Sequence, residues 1–377
     1  FGPHLHLDMI ESATGDYVDP LPFFMEKVKD NIAPRAEGII LFPQPGKGVV
    51  NGKQIHRTFP VNPTQPITAW GLIGAGIRAY DHMDGVGNRY GVHTVILEVD
   101  GEEVFRSVVD RFAYEENRYI NSWTHGQYMK SFIEPGNRLR MLHASNGNRG
   151  LVEINEERPY RFVYTLSDAL GNTSKVRFTV QGKNTEIHPV EHREKYAFKW
   201  DRTNYLQEPG LELVVPRGML YDDVWLDYSV RADSGDVAFT YQLHNKRVPL
   251  HGACEMRIGL RRDRLEDKSK YYVAGVTARG GKYSIGGTYE DGFMKVRIRD
   301  LGTYTVAVDT VPPEIIPLNP GQWGRTGRIT LKAKDKETGI NSYRGTIDGK
   351  YALFGKPNSI SGNLVCELDP KHVKKLS

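Results

Sequence analysis

The sequence has few cysteines, no long apolar run and no block of like charge. Its only cysteines, Cys254 and Cys366, have no CxxC spacing, so they indicate neither a disulfide framework nor a zinc knuckle. No apolar run approaches the roughly 18–20 residues of a membrane-spanning helix, which excludes a transmembrane helix. Lys and Arg total 50 and Asp and Glu total 46. The net charge of +4 is spread along the chain and gives nucleic-acid binding no support.

Helical periodicity is also scarce, whereas turn-forming and β-branched residues are abundant. The 377 residues include 39 Gly and 21 Pro, and 39% are hydrophobic, which is enough for a buried core and predicts two or three domains. Short β-branched and aromatic runs, typical of sandwich strands, lie at 94–99, 161–166, 211–215, 224–228 and 304–308. Short helices are predicted near 22–29, 115–120 and 261–268.

Two parts of the chain repeat one pattern. Residues 30–34 and 309–313 both have the form D-x-[IV]-x-P. Ala, Asp and Gly at 79, 81 and 85 recur at 333, 335 and 339, and each copy then reaches an Asp-Gly pair, at 100–101 and 348–349, which predicts a two-residue hairpin turn. We interpret the copies as two sandwiches of one Ig-like type. The first extends through 168–172, whereas the second ends early, so the chain is expected to be truncated there.

The first residues carry the pattern with the most chemical content. Pro3 disfavours helix for the residue before it, and His4 and His6 alternate with Leu5 and Leu7, which predicts a strand with both imidazoles on one side. Side chains two residues apart on a strand lie about 6–7 Å apart, so one histidine can bind a metal while the other faces metal-bound water. The alternative is two exposed histidines on an edge strand.

Residues 1–8, FGPHLHLD, followed by Asp19-Pro20 and an apolar exit, resemble the final motif of the lysostaphin/LytM-type zinc metallopeptidases. That motif is usually GPHLHFE, so Leu7 and Asp8 replace Phe and Glu. The resemblance implies that His6 is a zinc ligand and that His4 is the catalytic histidine assisting the metal-bound water. It also implies hydrolysis of peptidoglycan peptides, since zinc polarises a carbonyl and lowers the pKa of bound water toward ~7.

The later domains resemble those that follow the peptidase in Gram-negative envelope members of this family. The strings that carry this likeness lie at 76–81, 110–112 and 118–121. The family's first zinc motif, His-x3-Asp, lies upstream of HxH, and Phe1 is not an initiator methionine, so we expect an upstream part to be missing. A catalytic zinc needs three protein ligands. This chain alone is therefore expected to hold no zinc and to be inactive, whereas the complete parent would be active if it carries the other ligands.

These features predict an all-β fold in which tandem Ig-like β-sandwich domains follow the C-terminal end of a peptidase-type antiparallel β domain. The predicted segments are a peptidase remnant at 1–28, an Ig-like sandwich at 29–182, a second sandwich at 183–308 and an incomplete Ig-like domain at 309–377. The predicted function is the C-terminal portion of a secreted zinc metalloendopeptidase of the periplasm or outer membrane. Peptidoglycan or envelope proteins are the expected partners. The alternative is a non-catalytic scaffold or accessory subunit of an envelope assembly.

Other patterns have simpler structural explanations. Residues 188–192 spell HxxEH, but Pro189 opposes the helix that this zinc pattern needs. The glycines of 71–76 lack GxGxxG spacing and predict a bulged or closely packed strand. The oxygens of 81–88 lack the regular alternation of a calcium loop and favour a loop-closing turn. The basic stretch 257–272 is interrupted by acidic residues and predicts a solvated face.

A weaker hypothesis concerns the aromatic residues of the middle segment. Trp200 and Trp225 would bind glycans if they were exposed, because sugars stack on flat aromatic faces. The favoured alternative is that they are buried in the core of that sandwich.

Overall fold

The computed structural model describes residues 7–232, 237–358 and 361–368. The protein is all-β, with 48% strand and 6% helix, which confirms the predicted fold class. It divides into two compact units. The first unit reaches Thr203 and adds Pro216–Trp225 and Pro249–Gly252. The second unit comprises Asn204–Val215, Leu226–Val248 and the chain from Ala253 onward.

The strands up to residue 198 lie mainly in one large sheet. They are β1 (Met9–Ile10), β2 (Tyr17–Val18), β3 (Arg35–Val50), β4 (Arg57–Phe59), β5 (Ile67–Tyr80), β6 (Thr94–Val99), β7 (Glu102–Val108), β8 (Arg111–Phe112), β9 (Thr124–His125), β10 (Tyr128–Lys130), β11 (Leu142–Ala144), β12 (Val152–Ile154), β13 (Pro159–Ser167), β14 (Thr173–Gly182) and β15 (Tyr196–Phe198).

The later strands form several smaller sheets. They are β16 (Asn204–Glu208), β17 (Leu211–Val215), β18 (Val224–Leu226), β19 (Ser229–Arg231), β20 (Thr240–Gln242), β21 (Val248–Gly259), β22 (Tyr271–Val276), β23 (Lys282–Gly286), β24 (Thr288–Glu290), β25 (Phe293–Leu301), β26 (Thr303–Val308), β27 (Glu314–Leu318), β28 (Arg328–Lys334), β29 (Gly345–Ile347), β30 (Lys350–Ala352) and β31 (Asn363–Glu367).

Burial in the first unit follows the period of two that its sequence predicts. In β6 the buried residues alternate with half-buried ones, and β13 and β14 show the same alternation along the inner face. The sheet runs in the order β11-β7-β6-β13-β14-β5-β10-β9, with β3 and β12 also paired to β5. Because β3 and β5 share one apolar core with β6 and β13, the sheet curls over that core.

The Asp-Gly pairs form the predicted turns. Asp100 and Gly101 connect β6 to β7 with φ angles of 54° and 93°. Asp348 and Gly349 connect β29 to β30 with φ angles of 50° and 78°. Positive φ at both central residues is the type I′ geometry that matches strand twist, and Asp and Gly tolerate it. Both hairpin predictions are confirmed.

The second unit contains two five-stranded sheets that face each other. Their orders are β16-β17-β21-β25-β24 and β19-β20-β26-β22-β23. Both sheets supply fully buried side chains, including Leu213 and Met256 from the first and Tyr241 and Val273 from the second. A further three-stranded sheet, β27-β28-β31, covers a small core around Phe354 and Leu364.

Both cysteines are buried free thiols in the second unit. Cys254 lies on β21 and Cys366 on β31, and burial raises the pKa of the Cys254 thiol to about 11. Both side chains are therefore buried as small apolar groups.

The helical predictions are only partly correct. A 3₁₀ helix at Leu21–Phe23 starts the first predicted segment, and the second contains a 3₁₀ helix at Tyr114–Tyr119 followed by an α-helix at Ile120–Trp123. The helix predicted near 261–268 is wrong, because only a 3₁₀ turn at Lys268–Lys270 forms there. Two further short helices lie at Pro320–Gln322 and Trp323–Thr326.

A tertiary hydrogen bond explains the missing helix. The hydroxyl of Tyr271 accepts the backbone N–H groups of Arg264 and Leu265 at 2.9 and 3.1 Å. These donors are satisfied without helical carbonyls, and the segment forms an irregular loop.

The glycine-rich segment 71–76 lies within β5, as predicted. A Cβ at Gly71, where φ is +81°, would lie 2.1 Å from the carbonyl oxygen of Lys47. The β3–β5 register shifts between Pro43 and Gly48, directly opposite this point. The glycines therefore permit a bulge and close strand packing, and they do not form a phosphate loop.

Candidate functional site

The two histidines predicted to act in zinc chemistry, His4 and His6, lie outside the described residues. What the structure shows is how the chain immediately after them is held. The segment from Leu7 to Leu21 lies against the first unit and contacts it through strand pairing and ion pairs. We call residues 9–19 the clasp.

The clasp is a short hairpin that pairs with the sandwich. β1 pairs with β2, and β2 pairs in turn with β8 through the partners Tyr17↔Phe112 and Val18↔Arg111. The next residue, Asp19, donates its backbone N–H to the carbonyl of Asp110 at 2.8 Å. The rings of Tyr17 and Phe112 stack at 5.6 Å. The clasp is thus bound to the sandwich by backbone and side-chain contacts.

Buried charge reinforces the clasp. Asp16 is only 4% exposed, and its Oδ2 lies 2.6 Å from Nη1 of Arg140 and 3.9 Å from Nη1 of Arg111. Arg111 also donates to Oε2 of Glu11 at 3.1 Å. A hydrogen bond from Thr14 and the charge of Arg111 hold the pKa of Glu11 below its ordinary value. These side chains stabilise the hairpin in one position.

A second feature of this unit is a cluster of three buried carboxylates. One oxygen from each of Asp30, Asp81 and Asp168 lies within 4.8 Å of the others. The three residues are 8%, 6% and 6% exposed, respectively. Carboxylates of this kind are ordinarily solvated or paired, so a buried group of three requires a chemical explanation.

Local hydrogen bonds position two of the three carboxylates. Asp168 Oδ1 accepts the N–H groups of Leu170 and Asn172 at 2.9 Å each, and Asp168 Oδ2 accepts from the Asn172 amide at 2.7 Å. Asp30 Oδ1 accepts the N–H of Ile32 at 3.0 Å. These are Asx turns, in which the side chain replaces a backbone acceptor.

Two oxygens of the cluster lack donors. Asp30 Oδ2 and Asp81 Oδ1 are buried and accept no hydrogen bond from any described residue. Burial, together with the charges of Asp168 and Asp30, raises the pKa of Asp81 to about 6, against the lowering effects of a backbone hydrogen bond and the charge of His82. Of the ion pairs formed by described residues, none includes these three aspartates. The cluster therefore carries uncompensated negative charge.

The three aspartates line a cleft of about 490 Å³ in the first unit. Tyr17 and Leu21 of the entering chain also line this cleft, together with the apolar residues Val92, Phe112 and Met141. The carboxylates and the chain that follows HxH thus border the same cleft.

The sequence patterns include all three aspartates but do not group them. The turn that the sequence predicts for 81–88 forms, since Val86 donates its N–H to the Met83 carbonyl. Asp30 belongs to the repeat pattern and Asp168 to the stretch 168–172, and both side chains accept backbone N–H groups in turns. The three aspartates all lie beside strand ends, which is the one feature they share in the sequence. They are far apart along the chain, so the sequence does not show that they meet in space.

The other sequence patterns show no site chemistry. Residues 188–192 are not helical, and the ring of His192 stacks on Trp225 at 3.7 Å, while the guanidinium of Arg138 lies over Trp200 at 5.6 Å. Both tryptophans are half-buried, so they are neither core residues nor open stacking platforms. In the basic stretch, Arg257 pairs with Glu212 at 2.8 Å, consistent with a solvated face.

The string at 118–121 has a structural role in the first unit. Arg118 donates to the carbonyl of Leu250 at 2.9 Å, and the Tyr119 ring stacks on His251 at 4.1 Å. Tyr221 donates its hydroxyl proton to the carbonyl of Arg118 at 2.7 Å. These residues attach returning segments of the chain to the first unit.

Comparison with known families finds one similarity. Residues 195–309 match the family model of the Zu5-like domain, over less than half of the chain. No curated protein matches the sequence. Among the described residues, every helix is too short and too polar to span a bilayer.

Proposed function

We propose that this chain is the positioning arm of a LytM-type zinc metalloendopeptidase that acts on peptidoglycan peptides in the cell envelope. Residues 1–8 support the peptidase assignment through their resemblance to the family motif. The clasp supports the positioning role. It fixes the residues that follow HxH to the first sandwich, so the orientation of the peptidase end is coupled to that sandwich.

The rigidity of the clasp supports the positioning role. A two-stranded hairpin alone is marginally stable in water. Here, pairing with β8 and the contact between Asp16 and Arg140 at 2.6 Å give the hairpin a tertiary anchor. A tether would need only a flexible linker, whereas an anchored hairpin sets direction, which is useful against an extended, cross-linked substrate.

The experiment uses the complete parent protein. Arg140→Ala should leave zinc content and turnover of a short soluble peptide unchanged but reduce digestion of intact cell wall several-fold. Arg158→Ala is the matched control. Arg140 forms ion pairs with Asp16 and Glu116, and Arg158 likewise forms two on the same unit, with Asp100 and Glu156, neither of which belongs to the clasp. Equal wall digestion by both variants would contradict the positioning role.

The peptidase assignment has its own test. His6→Ala should abolish zinc uptake, whereas His4→Ala should retain zinc and lose turnover. Full activity in either variant would refute the assigned roles. If the parent lacks His-x3-Asp upstream, the enzyme assignment fails, and the non-catalytic envelope scaffold becomes the function that this architecture supports.

A further inference from the structure

The three clustered aspartates come from three separate connections of the first unit. Asp30 precedes β3, Asp81 follows β5 and Asp168 begins the turn between β13 and β14. The first two meet because β3 and β5 are antiparallel, with Arg35 paired to Tyr80. Asn172 joins the third connection, since its amide donates to the carbonyl of Asp30 at 3.0 Å. The cluster therefore lies where these connections converge.

In the second copy of the repeat, the corresponding aspartates accept hydrogen bonds that the aspartates of the first copy lack. Asp309 Oδ1 accepts the N–H of Val311, just as Asp30 Oδ1 accepts that of Ile32. The other oxygen differs, because Asp309 Oδ2 accepts from the hydroxyl of Thr338 at 2.7 Å, whereas Asp30 Oδ2 has no donor. The first copy thus retains acceptor capacity that the second copy uses internally.

The two copies differ in the same way at the aspartates that follow a strand, which are Asp81 after β5 and Asp335 after β28. Asp335 Oδ1 accepts three backbone N–H groups, from Glu337, Thr338 and Gly339, at 2.9–3.0 Å. Asp81 Oδ1 is buried beside two other carboxylates and has no donor among the described residues. A buried carboxylate oxygen without a donor is costly, and a cation is the partner that satisfies several at once.

We propose that Asp30, Asp81 and Asp168 form a calcium-binding site in the first sandwich. The available ligand atoms are oxygens, which hard cations prefer, whereas zinc favours nitrogen and sulfur ligands. Ca–O distances of about 2.3–2.6 Å place two ligands at most about 5 Å apart, which accommodates a spread of up to 4.8 Å. Backbone carbonyls and water complete the 6–8 ligands of calcium.

Calcium here would lock the entry of the chain into the first unit. Asp30 belongs to the segment that connects the clasp to β3, and the other two ligands belong to the sandwich itself. Neutralising three like charges would stabilise the unit and hold this connection in place. The inference depends on the carboxylates alone and does not require the peptidase assignment.

The test is thermal unfolding and calorimetric titration of this chain after treatment with EDTA. At a Ca²⁺ concentration 100-fold above Kd, the midpoint of the unit should rise by about 5–10 °C, with one site in the titration. Asp81→Asn and Asp30→Asn should lose the shift. Asn at position 30 can still accept the Ile32 N–H, so this variant retains its turn.

Two control variants separate this cluster from other acids. Asp84 lies in the same loop as Asp81, but its carboxylate accepts from the Asn31 amide at 2.8 Å, so Asp84→Asn should keep the calcium shift. Asp309→Asn changes the repeat-related position in the second unit and should also keep it. In EDTA, Asp81→Asn should melt at or above the wild-type midpoint, because it removes one of three like charges.

Three results would overturn the proposal. The first is the absence of any shift or binding heat with millimolar Ca²⁺ in the wild-type chain. The second is a shift of equal size in the Asp81→Asn and Asp30→Asn variants. The third is an equal response to Mg²⁺, which would contradict the assignment to calcium.

Discussion

The contacts of the clasp predict how much a change at Asp16 raises the rate at which the β1–β2 hairpin opens relative to its closing. Asp16 is 4% exposed, and its Oδ2 lies 2.6 Å from Nη1 of Arg140. Asp16→Asn removes the charge but keeps the size of the side chain and one acceptor oxygen. We expect the β1–β2 hairpin to open more often while the sandwich beneath it stays folded, because the changed contact joins the hairpin to the unit and lies outside its core.

The size of the expected stability loss follows from the distance between Asp16 and Arg140 and from their exposure. Two unit charges 2.6 Å apart attract by about 1.6 kcal/mol at the dielectric constant of water. Burial of Asp16 strengthens this interaction, but the Arg140 side chain is 43% exposed, so solvent screens much of the gain. We therefore expect a loss of about 1–2 kcal/mol, which is a 5–30-fold increase in the opening equilibrium.

Native-state hydrogen exchange of this chain measures that equilibrium directly. Amides of residues 10–19 should lose protection by that factor, whereas amides of β13 and β14 should not change. Glu156→Gln is the control, because its pair with Arg158 has a similar distance of 2.7 Å but Glu156 is 65% exposed. An equal change in hydrogen exchange of the clasp amides in both variants would refute this expectation. A loss of protection throughout the unit in Asp16→Asn would refute it as well.

Two further predictions concern the core of the first unit. Tyr164→Phe should lower the free energy of unfolding by about 1–3 kcal/mol in a urea titration, because the Tyr164 hydroxyl bonds to Ser131 Oγ at 2.8 Å and both residues are fully buried. The double variant with Ser131→Ala should cost less than the sum of the single ones, and simple additivity would argue against this bond. Gly71→Ala should cost more than about 2 kcal/mol, since its Cβ would meet the Lys47 carbonyl at 2.1 Å. Gly52→Ala, with φ of +72° but open space, should cost about 1 kcal/mol, and similar losses at both glycines would contradict the steric argument.

The sequence predicted the structure correctly where the conformation depends on neighbouring residues. The two Asp-Gly turns have the backbone angles that their residue types predict. The strand predicted at 94–99 matches β6 residue for residue, because alternate burial of β-branched side chains is encoded within six positions. The division of the chain into four segments remains a prediction, although the predicted second sandwich overlaps the Zu5-like match.

The helix predicted near 261–268 shows where local reasoning fails. Its residues allow a helical turn, but the hydroxyl of Tyr271 accepts the N–H groups of Arg264 and Leu265. That hydroxyl belongs to the first residue of β22, which lies outside the segment predicted to be helical. A tertiary acceptor therefore overrides a weak helical preference.

The candidate calcium site consists of residues that are far apart in the sequence and close together only in the folded chain. Asp30 and Asp168 each accept a backbone N–H in an Asx turn, and Asp81 precedes the turn that the sequence predicts for 81–88. Their charges meet only after β3, β5 and β13 have formed. The repeat-related Asp309 and Asp335 share the spaced pattern but have different partners, because Thr338, which donates to Asp309, stands where the first copy has Asp84.

The sequence by itself determined an all-β protein and its hairpin turns, because strand alternation and turn chemistry both act over a few neighbouring positions. Only the tertiary structure decided that the clasp is anchored by Asp16 and that three distant aspartates share one buried space. Burial and charge proximity are properties of the packed chain. They arise when strands that are far apart in sequence pair, and no short stretch of residues encodes them.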